Sequence, residues 1–256
     1  MRTLTEILPG ILLSTCDLYS TNSTVVVADT GAGCLVVDPG VTTADLASLV
    51  ADLTDLGLAP AAGFSTHPHW DHVIWHPSLG DVPRYSSELA AAVASRERDD
   101  LIGGVQKAAP GHDLEVFARL TPLQPGVKTV PWDGPEALVI THNGHAPGHS
   151  ALYLLGTGTL IAGDMCSDIE IPLLDLDQPD PIGDYRAGLA LLAALPVRTV
   201  IPGHGSVTDA AGFRDRIDAD LKYLDALERG TESDDARLAA DWLLAEHAAQ
   251  ARLTHR

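Results

Sequence analysis

The segment Thr66-His67-Pro68-His69-Trp70-Asp71-His72 places three imidazoles and a carboxylate within six consecutive residues. Neutral imidazole nitrogen and carboxylate oxygen are the donors that divalent zinc, iron and manganese accept. His67 and His69, two apart, point the same way from an extended backbone. Asp71 and His72, where the chain turns toward a helix, can face a second position a few ångströms away. By chance such a string arises in about three of a thousand chains of this histidine content, so composition alone is a weak rival. Later histidines stand at His142, His145 and His149 and in a Pro-Gly-His204-Gly turn, and Asp164 is one of many acidic residues, in a Gly-Asp turn. Taken singly, an aspartate or a histidine in such a turn is an ordinary cap or polar loop residue.

The string matches HxHxDH, and with it the chain resembles the metallo-β-lactamase superfamily. The resemblance continues downstream in the family's order, through Gly144-His145-Ala-Pro-Gly148, Ala162-Gly163-Asp164 and Ile201-Pro-Gly-His204-Gly205. Upstream, Val37-Asp38-Pro39-Gly40 resembles the family's Asp-x-Gly turn, and Asn22 stands where an asparagine often opens the first strand. The matching stretch covers roughly residues 20–205.

The resemblance implies an α+β fold, an αββα sandwich in which two mixed sheets pack face to face with helices on both outer sides. It implies two divalent metal ions, zinc first, with iron or manganese fitting the same ligands. One ion would be held by His67, His69 and His145, the other by Asp71, His72 and His204, with Asp164 bridging. His145 rather than His149 is the expected ligand, because the family places it in the Gly-His step. Asp38 is expected to hydrogen-bond a ligand-loop group rather than touch metal. A dinuclear hydrolase is implied, using a metal-bound hydroxide on a small ester, lactone or thioester, with Asp71 and Asp164 as catalytic groups and Asp71 as the proton carrier.

Departures from the family's branches narrow the substrate. Asp164 stands where the β-lactamases proper carry cysteine or serine, so amide hydrolysis of that kind is a secondary reading. Ser167 stands where lactonases place a tyrosine; Tyr185 is a candidate substitute. Glutathione thioesterases use basic C-terminal residues, whereas Arg214, Arg216, Lys222 and Arg229 sit here among many acids. A mononuclear iron persulfide dioxygenase is the alternative from another reaction class, and the intact set Asp71, His72 and His204 tilts the reading to hydrolysis. A non-catalytic binding module is disfavoured because no expected ligand is missing.

These residues need elements to position them. Thr24–Ala28 and Cys34–Val37 read as a hairpin, and a helix capped by Thr42 or Thr43 follows over Ala44–Leu56. A strand over Ala61–Thr66 runs into the histidine string. Residues 86–120 read as helical with breaks at Gly103-Gly104 and Pro110-Gly111. Strands are expected near Val127–Pro131, Ala137–Thr141, Ser150–Leu155 and Thr159–Ala162, then a helix over Tyr185–Leu195 and a strand over Thr199–Ile201. The tail reads as two amphipathic helices split near Gly230. The chain is expected to form one domain over residues 1–256, with the helical tail from about 209 packed on it.

Substrate contacts are expected from residues 86–125 and from the loop 167–175, where Ile169, Ile171, Leu173 and Leu174 suit an acyl group. Trp70 and Trp75 could wall the pocket or serve as packing. Cys166 is read as a small buried residue.

With 16 basic against 35 acidic residues the formal charge is −19. Such a surface repels phosphate backbones and anionic lipid, so nucleic acid and membrane are poor partners and a small molecule is the expected one. Three cysteines at wide spacing form no disulfide framework. No segment reads as a membrane span or signal peptide, and a cytoplasmic location is expected. Oligomeric state is not legible.

Overall fold

Strands buried at nearly every residue, on both faces, build the middle of the molecule in the computed structural model, which describes residues 3–252. The first sheet has seven strands in chain order: β1 (Thr5–Leu8), β2 (Ile11–Thr15), β3 (Asn22–Val27), β4 (Gly33–Val37), β5 (Ala59–Phe64), β6 (Arg84–Ser86) and β7 (Thr121–Pro122). Strands β1 to β4 are antiparallel and β4 to β7 parallel. The second sheet runs β12 (Thr208–Asp209), β11 (Thr199–Pro202), β10 (Thr159–Gly163), β9 (Ser150–Leu154) and β8 (Ala137–Thr141), with only β10 and β11 parallel. Both sheets are therefore mixed.

Alternate residues of single strands feed different cores. Leu35 and Val37 of β4 join Leu152 and Leu154 of β9 and Ile161 of β10 between the sheets. Their neighbours Cys34 and Val36 face outward onto Leu46, Leu49 and Leu53 of α1 (Thr43–Asp55), in a cluster shared with α2 (Glu88–Arg96) and α3 (Arg98–Ala108). Tyr153 of β9, Leu160 of β10 and Val200 of β11 face the opposite outer layer, formed by α4 (Pro181–Ala193), α5 (Ala210–Arg229) and α6 (Asp241–Ala251). The order of layers is helix, sheet, sheet, helix, the αββα sandwich expected.

Caps fix the helices that border the site. Thr42 caps α1 in a reciprocal box with Asp45, worth about 1 kcal/mol. Ser87 caps α2, and its hydroxyl also donates to the Gly148 carbonyl at 2.5 Å, tying α2 to the loop between β8 and β9. Gly230 ends α5 in the left-handed region with φ 62°.

Three expectations fail locally. The helical reading of residues 86–120 stops at Ala108, and residues 109–120 form turns without a helix. The helical segment does not break at Gly103-Gly104; α3 runs through both, and the interruption is at Glu97. A β-carbon on Gly104 would lie 3.0 Å from the Trp70 ring, so the small residue serves close packing rather than a break. The strand near Val127–Pro131 is absent, reduced to a bridge between Thr129 and Leu138; Pro131, with no N–H to give, ends the pairing. No helix among the described residues is long and apolar enough to cross a membrane.

Candidate metal centre

Five chain turns at one end of the two sheets converge. The turn after β5 carries His67, His69, Asp71 and His72; the β8–β9 loop carries His145; Asp164 follows β10; His204 follows β11; and Asp38 follows β4. Asn22, opening β3, clamps the His204 turn by donating its side-chain amide to the Pro202 and Gly205 carbonyls, each at 2.9 Å. Asp38 and His145 take left-handed φ of 48° and 72°, a backbone cost of order 1–3 kcal/mol each that clusters at functional sites.

The structure brings all seven expected donors into two adjoining sets. His67, His69, His145 and Asp164 form one and Asp71, His72 and His204 the other, with ligand atoms in each set within 4.8 Å of one another. Asp164 Oδ2 lies 3.4 Å from Nε2 of both His67 and His145 and 3.2 Å from His204 Nε2, so it faces both sets. His145 Nε2 and His69 Nδ1 stand 3.0 Å apart, and His72 Nε2 and His204 Nε2 3.2 Å apart. Donors arranged tetrahedrally about one zinc-sized ion are separated by roughly 3.3 Å.

The outer nitrogens of four histidines are tied to the protein, which turns Nε2 inward. His72 Nδ1 donates to Asp38 Oδ2 at 3.0 Å, His145 Nδ1 to the Leu173 carbonyl at 3.0 Å, and His204 Nδ1 to the Tyr19 carbonyl at 3.1 Å. Thr66 Oγ1 donates to Asp38 Oδ2 at 2.6 Å, leaving its oxygen to accept from His67 Nδ1 at 3.0 Å. Asp38 thus orients one imidazole of each set, the supporting part expected of it.

Burial holds His67 and His145 well below the ordinary imidazole value, His145 at about 3. Burial acts the same way on His204 but is outweighed by Asp164, Glu170 and Asp71, which push it up to about 10. His72 is raised as well, burial being outweighed by Asp164, Asp71 and Asp38. Burial opposes ionisation of Asp164, yet His204, His72 and His67 hold its carboxyl well below the usual range.

The donors fit a pair of divalent cations on an observation independent of their order in the chain. His67 Nε2 and Asp164 Oδ1 are buried without a hydrogen-bond partner among the described residues. Burying such atoms unmatched costs free energy that a cation between them removes. Gly203 leaves the room: a β-carbon there would overlap the Asp164 carboxylate.

His149 is a neighbour of the donors, as expected: its Nε2 accepts from the Asp164 amide at 3.1 Å, and its ring stacks on those of His67 and His142. His76 caps a short turn, His112 contacts the Val41 carbonyl and His247 the Tyr223 hydroxyl; His255 lies outside the described residues.

A cleft of about 540 Å³ opens over the donors, lined in part by Val93, Arg96, Glu170, Leu173 and Leu174. The two segments expected to contact substrate are therefore represented. The wall differs from expectation at two places, and the tryptophans take the packing one of their two readings. Trp75 is buried in the first outer core, its indole N–H on the Gly80 carbonyl, and neither it nor Trp70 lines the cleft. Ile171 is buried in the second outer core and Ile169 is exposed, neither on the wall. Tyr185 is enclosed in that same outer core with Cys166, so it cannot take the place of a lactonase tyrosine. Sequence reasoning missed Tyr19, Trp242 and Glu246, which reach the cleft from the β2–β3 connection and the last helix. Their one signal was exposure of two large aromatics, each at 46%, visible only once the chain is folded.

A family model described as the metallo-beta-lactamase superfamily matches residues 16–204. No curated protein matches the sequence. Among solved structures, a metallo-beta-lactamase family protein from Thermus thermophilus is 23% identical with a TM-score of 0.67, covering 88% of this chain and 83% of its own. A protein crystallised in a di-iron-bound form, TTHA1623, is 28% identical with a TM-score of 0.62, over 80% of this chain and 97% of its own. The B3 metallo-beta-lactamase BLEG-1 is 23% identical with a TM-score of 0.59, over 80% and 96%.

Proposed function

This chain belongs to the metallo-beta-lactamase superfamily, and from that premise we propose that it is a metal-dependent hydrolase that holds two divalent ions and cleaves a small ester, lactone or thioester. The observation that carries the reading is the placement of Asp164 Oδ2 within 3.2–3.4 Å of imidazole nitrogens from both donor sets. His67, His69 and His145 would hold one ion, Asp71, His72 and His204 the other, and Asp164 both. Zinc suits so many imidazoles, and the di-iron relative supports iron as an alternative. Such a pair, when bound, lowers the pKa of water and polarises a carbonyl.

The chain's own groups supply the rest. Asp71 faces His72 and His204 through Oδ2, at 3.5 and 3.4 Å. Its Oδ1 is left to take a proton from the attacking water and pass it to the departing alkoxide or thiolate. Leu173, Leu174 and Val93 give the acyl chain an apolar wall.

Charge restricts the substrate. Glu97, Glu170, Asp175, Asp177 and Glu246 line the cleft, and its one cationic side chain among the described residues besides the donor histidines, Arg96, pairs with Glu97 at 2.6 Å. Beyond the metal ions themselves, the lining thus offers no unpaired cationic side chain to receive a distal carboxylate or phosphate, which supports an uncharged acyl group over a glutathione thioester.

Screening the metal-loaded protein against lactones, thioesters, β-lactams, phosphodiesters and a persulfide tests the reading. Turnover of neutral lactones or thioesters is expected, at least about tenfold better in kcat/KM than analogues carrying an added carboxylate. Oxygen consumption with the persulfide and one iron per chain would replace hydrolysis with dioxygenation. Activity confined to phosphodiesters would overturn the substrate class.

A further inference from the structure

Glu170 is a buried carboxylate that the seven-donor arrangement does not use. It is 8% exposed, lines the cleft, and makes no side-chain hydrogen bond or ion pair among the described residues. One of its oxygens, one of Asp164 and a nitrogen of His204 lie within 4.8 Å of one another.

Its position is built rather than incidental. Ser167 Oγ donates to the His204 carbonyl at 2.9 Å and accepts from the Glu170 amide at 3.2 Å. From the far side, Arg237 donates to the Glu170 carbonyl at 2.8 Å, and Arg237 is itself fixed by Asp220 at 2.7 Å. The backbone of Glu170 is thus hooked to the His204 turn and braced by the helical tail, while its side chain is left free to face the donors.

A carboxylate that is largely buried, lacks a hydrogen bond or ion pair among the described residues, and lies within reach of the Asp164 carboxylate is stabilised by a cation placed between them. Two divalent ions against Asp71 and Asp164 leave a net positive charge, which a third carboxylate reduces. We propose that Glu170 is an eighth ligand of the centre, completing the position held by Asp71, His72 and His204. This rests on the two-metal reading above. The two positions then differ: one has three imidazoles and the shared carboxylate, the other two imidazoles and up to three carboxylates. The oxygen-rich position accepts a higher coordination number and favours iron or manganese over zinc more than its neighbour does.

The test is stepwise loading of the metal-free chain with cobalt(II) and with zinc(II) under chelator competition, for the parent, Glu170→Gln and Glu170→Ala. Expected is an unchanged first ion, a second ion bound about 10–100-fold more weakly, and a stronger visible cobalt band for the second equivalent as its coordination number falls. A second ion bound as in the parent with an unaltered cobalt spectrum in both variants would overturn the proposal, even if turnover dropped. Equal weakening of both ions would also overturn it, since Glu170 would then be bracing the loop rather than ligating. A parent chain that binds no ion would instead overturn the two-metal reading itself. Circular dichroism of each variant confirms that the comparison is between folded chains.

Discussion

Asp164→Ala is expected to leave at most one ion per chain and to lower kcat/KM by about a thousandfold or more. The size follows from its position. Among the described residues, Asp164 is the only carboxylate with an oxygen within 3.4 Å of nitrogens from both donor sets. On the two-metal reading, removing it would take a ligand from each position and with it the shared negative charge between the cations. His72 and His204 also lose the carboxylate that does most to offset their burial. Elemental analysis after dialysis reads the first effect and steady-state kinetics the second. Two retained ions with near-parent turnover would mean that Asp164 is not the bridge.

Asp71→Asn is expected to separate ligation from proton transfer. The amide keeps the size of the side chain and an oxygen toward His72 and His204, but it cannot carry a proton between water and leaving group. A general acid–base contribution is worth about 10²–10⁴-fold, and that fall should appear in kcat with KM little changed. The loss should be deepest for alkyl esters, whose alkoxide must be protonated as it departs, and shallow for thioesters, whose thiolate leaves unaided. A uniform loss across leaving groups would assign Asp71 to metal binding alone, and an undiminished kcat would remove it from the proton path. Metal content measured on the same samples keeps the two effects apart.

Much of this site is legible in the sequence because its densest part is local. Four donors fall within six residues of the turn that follows one strand, β5. The β3–β4 hairpin and α1 are legible for the same reason: Leu46, Leu49 and Leu53 mark one helical face, and Val36 and Val37 mark opposite faces of a strand. What fails to read is set by contacts distant in the chain. Gly104 looks like a helix breaker until Trp70 is packed against it. Whether Trp75 walls a pocket or packs is open in the sequence until Gly63, whose β-carbon would lie 2.6 Å from its ring, is seen to make its berth on the outer face of the sheet.

Glu170 shows the same limit at the site itself. In sequence it is one acid in a chain of 35 acidic residues. Only the hook from Ser167 to the His204 carbonyl, and the brace from Arg237, distinguish it from a solvated loop carboxylate. Tyr19 likewise joins the cleft because its own carbonyl holds His204 Nδ1, a contact across 185 positions.

On the proposed function, two divalent ions occupy the paired donor sets and are required for reaction. Elemental analysis of the purified chain, followed through chelation and reloading with activity assayed at each stage, tests it most directly. Two ions per chain are expected, with turnover lost as they are stripped and regained as they return. A chain that works undiminished once both ions are gone would contradict the account.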